Sequence, residues 1–144
     1  MQTAYNEKMA VAVVGQLVDC TDRRVESKYA GGAINAGAAV QIGASDTQVV
    51  SATTAVHGVA IQHPLLTLGD DSGTAAYAQY DGVSVLRAGR IWVAVDGAVA
   101  IDAQAYWDVA AGAFNSTSTD NFIVTGGRFV TSTSGAGLAI LEIM

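Results

Sequence analysis

Two histidines, one cysteine and a short acidic turn are the residues of this 144-residue chain whose types could do chemistry. His57 and His63 stand six residues apart, which places them on one face of a regular strand but too far apart along it to share a metal. A zinc site also needs third and fourth ligands, and Cys20 is the only sulfur ligand of that kind in the chain. The histidines therefore read as structural, and Cys20 as a small, partly buried apolar residue. Asp70-Asp71-Ser72-Gly73 lacks the alternating oxygen ligands and closing glutamate of a calcium loop, so it reads as a solvated turn. No Gly-x-Ser-x-Gly elbow is present to expose a nucleophilic serine. Neither Lys8 nor Lys28 follows the glycine series of a phosphate-binding loop. The expectation is a protein without catalytic residues, cofactor or metal.

Charge narrows the partners. Seven basic residues against thirteen acidic ones give a net charge of −6, with no basic cluster interleaved with aromatics. Duplex nucleic acid is disfavoured, because binding it requires Lys and Arg to displace counterions from phosphates. Charged residues make up only 14% of the chain, against about 25% in an average soluble domain. Such a surface reads as one meant to be covered by neighbours. A single cysteine implies no oxidising compartment, the N-terminus lacks the order of a signal peptide, and no apolar run approaches a membrane-spanning helix. Synthesis in a cytoplasm, with no membrane partner, is expected.

The elements that must carry these residues are strands. Apolar residues recur with period two in Met9–Val13, Ala38–Ile42, Val59–Gln62, Val83–Leu86, Ile91–Val95 and Leu138–Ile143. Turn signals separate them at Gly31-Gly32, Asp81-Gly82, Asp96-Gly97, Gly126-Gly127 and Gly135-Ala136-Gly137. A short helix is allowed over Ser45–Ala55, weakened by its β-branched residues, and a turn or two over Thr74–Tyr80. Pro64 is expected to close a strand and open a loop. The fold class is all-β: a small β-barrel or β-tulip-like sandwich of short antiparallel strands with an N-terminal arm. Residues 1–30 form the arm and first strand, and residues 31–144 the barrel.

One stretch stands out. Asp19 to Lys28 holds six of the chain's twenty charges, and reads first as a solvated loop and second as an ion-pairing contact with a partner. The candidate partner contacts are Arg23, Arg24, the Met9, Val11 and Val13 face, and Tyr106, which must point away from Trp107 on a strand. Trp92, Trp107, Phe114, Phe122 and Phe129 are expected to fill the core.

The order of pieces from Gly31 to Met144 resembles the capsid cement, or head decoration, proteins of tailed phages. Asp81 to Val95 resembles that family's strand–glycine–strand hairpin. Gly97 to Asp108 with Gly112-Ala113-Phe114 resembles its tyrosine–tryptophan–aspartate strand and short hairpin. Val56-His57-Gly58-Val59-Ala60-Ile61 is similar to its glycine-valine-alanine strand, and Gly127–Ser132 with Gly137–Leu141 to its closing pair. The resemblance implies a protein of the virion, bound as a trimer to the outer surface of the head and clamping major capsid proteins together. It implies no chemical step. Two other readings stand beside it: a virion-surface module binding a host glycan or receptor, and a trimeric β-fold hydrolase, for which the sequence offers no metal-binding carboxylate motif.

Overall fold

The computed structural model describes residues 14–18, 23–62 and 76–144, and every regular element among them is a strand. In chain order these are β1 (Arg24–Ala30), β2 (Ile34–Asn35), β3 (Ala39–Ile42), β4 (Gln48–Ser51), β5 (Gly58–Ala60) and β6 (Ala76–Tyr77). They continue as β7 (Gly82–Val95), β8 (Gln104–Asp108), β9 (Ala113–Asn115), β10 (Phe122–Phe129) and β11 (Gly137–Ile143). The all-β expectation holds.

The main sheet closes twice. One ladder runs β1-β4-β3-β5-β7 and returns to β1, and a second runs β7-β11-β10-β8-β9 and returns to β7. Each is a ring of five strands sharing β7. Direction must be restored on going once round a ring, so the number of antiparallel joints must be even. Five joints therefore require a parallel one. The structure supplies it as β1–β4 in the first ring and β7–β9 in the second, all other joints being antiparallel. Rings this small are filled by their own side chains. Val40, Val49, Ala60, Val83 and Val85 fill the first, where the β2–β6 pair adds Ile34 and Tyr77. Ile91, Val93, Trp107, Phe114, Phe129 and Leu141 belong to the larger second cluster, which also takes Ala39, Val59 and Leu86 from the first ring. Trp107 and Phe114 meet with ring centroids 4.8 Å apart.

β7 joins the rings by a bulge. Arg24 pairs with Ala88 but Val25 with Leu86, so Arg87 is the extra residue on β7. The extra residue inverts the alternation: Leu86 and Ile91, an odd number of residues apart, face the same core. Gly89, at φ +128°, absorbs the change of direction. A Cβ there would also meet Arg23 Cβ at 3.0 Å.

Four local expectations are corrected. The Asp81–Val95 run is one continuous strand rather than a hairpin, because β1 pairs its first half and β11 its second. Ser45–Ala55 is no helix: the Ser45 carbonyl accepts the Gln48 N–H in a turn, and Gln48–Ser51 then joins the sheet. Within Thr74–Tyr80, Ala76-Tyr77 is a strand. Gly126-Gly127 lies inside β10 at a second register irregularity, where Gln104 Nε2 donates to the carbonyls of Val124 and Gly127. Met9–Val13, Cys20, His63, Pro64 and Asp70–Gly73 lie outside the described residues.

Candidate partner-binding face

Sequence reading favoured a solvated loop for Asp19–Lys28. The structure instead makes Arg24–Ala30 a ring strand, with Glu26 and Lys28 half-buried against β7. The bulge aims Arg87 across this seam. Arg87 Nη1 donates to His57 Nδ1 and to the His57 carbonyl, each at 2.6 Å. His57 Nε2 donates to Glu26 Oε2 at 2.9 Å. The two bonds call for the hydrogen on Nε2 and a lone pair on Nδ1. Both nitrogens are then occupied, and neither can serve a metal. Lys28 Nζ lies 3.8 Å from Glu26 Oε2, and Arg87 Nε lies 3.8 Å from Glu26 Oε1. This setting holds the Glu26 carboxyl below its ordinary value. The hydrogen bond from His57 is the main cause, partial burial opposes it, and the Arg87 and Lys28 charges add to the lowering.

The basic side chains concentrate here. Among the described residues, Arg23, Arg24, Lys28, Arg87 and Arg90 all lie on or beside β1 and the middle of β7, and only Arg128 lies elsewhere. Two carboxylates answer them: Glu26, and Glu142, whose Oε2 accepts from Arg90 Nε at 2.6 Å. On a chain of net charge −6 this makes a cationic seam on an otherwise acidic molecule. A cleft of about 410 Å³ opens beside it, bounded by Arg24, His57 and Arg87 and floored by apolar side chains.

The predicted contacts fall in two places. Arg23 and Arg24 are exposed at this seam. Tyr106 is half-buried on β8, across the ladder from Ile123, which is 52% exposed, while Trp107 beside it is buried. The structure does not bring these two groups together, and Met9, Val11 and Val13 are outside the described residues. Phe114 and Phe129 are buried as expected, whereas Trp92 and Phe122 are half-buried. Sequence reasoning missed the Glu26–His57–Arg87 group. An isolated glycine two residues after Arg87, inside an apolar strand, was the available signal of a bulge that redirects a side chain.

The arrangement can hold partners by charge and shape: Glu26, His57 and Arg87 Nη1 are engaged with one another, while Arg87 Nε is buried without a hydrogen-bond partner among the described residues. No group of three or more potential metal ligands occurs among the described residues. A family model described as structural cement protein (E217 gp24/Pam3 gp6) matches residues 1–144. Among solved structures, a chain from the capsid of Myoviridae phage XM1 superimposes with a TM-score of 0.71 at 18% identity, covering 98% of each chain. That likeness is one of fold. No curated protein matches the chain.

Proposed function

We propose, because the chain belongs to the structural cement protein family of phages, that it binds the outer surface of a phage head and clamps neighbouring major capsid proteins together. The family match over the whole chain is the observation that carries this reading, and the cationic seam supports it by offering a charged docking face. The work is physical. Packed DNA loads the shell, and a bound clamp adds buried area across seams that would otherwise part. An interface of about 800 Å² per partner suffices for specific binding, and symmetric repetition multiplies it. We take the bound unit to be a trimer on threefold and quasi-threefold positions, with Arg23, Arg24, Met9, Val11, Val13 and Tyr106 among its contact residues. No residue is required to react.

Expanded heads prepared without the protein test the proposal. Added protein should bind them saturably, raise their melting temperature and appear by electron microscopy as density outside the shell. Heads equally stable with and without it overturn the reading.

A further inference from the structure

Three non-glycine residues among those described have positive φ: Tyr80 at +73°, Asp102 at +67° and Asp120 at +59°. Aspartate tolerates this conformation, whereas a bulky aromatic meets steric strain in it. Tyr80 gains no burial in exchange, since it is 74% exposed. Its turn is nonetheless firmly tied. Tyr80 N–H donates to the Ala30 carbonyl, Asp81 N–H to the Ala78 carbonyl, and Ala78 N–H to Asp81 Oδ2. The ring is held out from the protein on a fixed backbone, with the exposed Asp81 beside it. A strained residue that the fold itself does not use points to a contact outside the fold. Rigid aromatics are the usual anchors of such contacts.

A matching hollow lies at the other end of the first ring. It has a volume of about 290 Å³ and is lined by Gln41, Ile42, Thr54, Ala55, Val56 and His57. A cavity of about 150 Å³ already holds benzene. The hollow is preformed: Gln41 Oε1 accepts the Thr53 and Thr54 N–H groups at 2.8 and 2.9 Å, and His57 is held by Glu26 and Arg87. Ile42 is exposed at its rim. On the side of His57, Arg24, Lys28 and Arg87 outnumber Glu26 and Asp46, which gives the hollow a positive edge. Tyr80 cannot reach it within one copy. Gly82 stands level with Tyr29 and Arg87 with His57, and the five residues between these levels span about 17 Å of strand. We infer that Tyr80 of one copy seats in this hollow of a second copy, its ring on Ile42 and Val56 and Asp81 turned to the cationic edge. Size, apolar lining and opposite charge match between the two. The contact joins two different surfaces, so copies meet head to tail and can close into a ring.

The inference rests on the reading of a self-associating cement protein, and sedimentation equilibrium of the full chain tests it. Tyr80→Gly relieves the backbone strain and should remain folded, as circular dichroism reads, yet weaken self-association about thirtyfold. Ala55→Trp, at an exposed position, fills the hollow and should weaken it as much. Each variant keeps one half of the contact. An equimolar mixture should therefore form one-to-one pairs with the affinity of the unmodified contact, and the double variant should stay monomeric. Unchanged association in either single variant, a mixture no tighter than its components, or an unmodified chain monomeric at every concentration overturns the inference. Head binding is read separately: if it survives while these tests fail, only this inference falls.

Discussion

The indole Nε1–H of Trp107 donates to the carbonyl oxygen of Ala52 at 3.1 Å, joining a strand of the second ring to the segment that follows β4 in the first. Ala52 is 1% exposed, so water does not replace this donor. Trp107→Phe keeps an aromatic beside Phe114 and strands that carbonyl. The expected loss is about 1–3 kcal/mol, read from urea unfolding. A variant as stable as the parent would show that the bond contributes nothing.

Gly89 is required by its backbone. At φ +128° an L side chain is strained, and its Cβ would crowd Arg23. Gly89→Ala should cost roughly 1–3 kcal/mol. Gly97→Ala, where an added Cβ meets open space, should stay within about 0.5 kcal/mol of the parent. Thermal melts of the pair separate strain from the general effect of losing a glycine.

Acid should loosen the seam. The folded carboxyl of Glu26 titrates below its ordinary value of 4.5, so the unfolded chain binds its proton first as pH falls. The stabilisation is fully present above 4.5 and is lost on descending through the folded value. Melting temperature should fall over that window, and Glu26→Gln, which cannot ionise, should remove part of the dependence.

Charge at Arg23 and Arg24 should govern how fast the protein finds its partner. Both are exposed, and replacing them with alanine should slow association with expanded heads most at low salt, with the difference shrinking as ionic strength rises. Equal association rates at low salt would remove these arginines from the contact.

Period-two runs made several strands legible, most clearly β11, which buries alternate residues and so leaves alternation in the sequence. β4 was hidden because Ser45 and Asp46 look like a helix cap, and they form a turn that hands the chain to Gln48 instead. β7 was split in two because a glycine inside an apolar run signals a reversal as readily as a kink. Only the partners of its two halves decide between these. Arg23 and Arg24 were found by charge density, a local property. Glu26, His57 and Arg87 were not, because residues some thirty positions apart meet only once strand register is set. Parallel closure was equally unreadable, being a consequence of strand number rather than of any residue.

The sharing of β7 also orders events during synthesis. Every strand of the first ring precedes residue 96, so that ring can shut while the C-terminal third is still on the ribosome. The far half of β7 then stands ready as a template, and β11 arrives last to complete it. Until it does, a nascent neighbour can supply the missing strand, and crowded translation is where swapped, tangled products should arise.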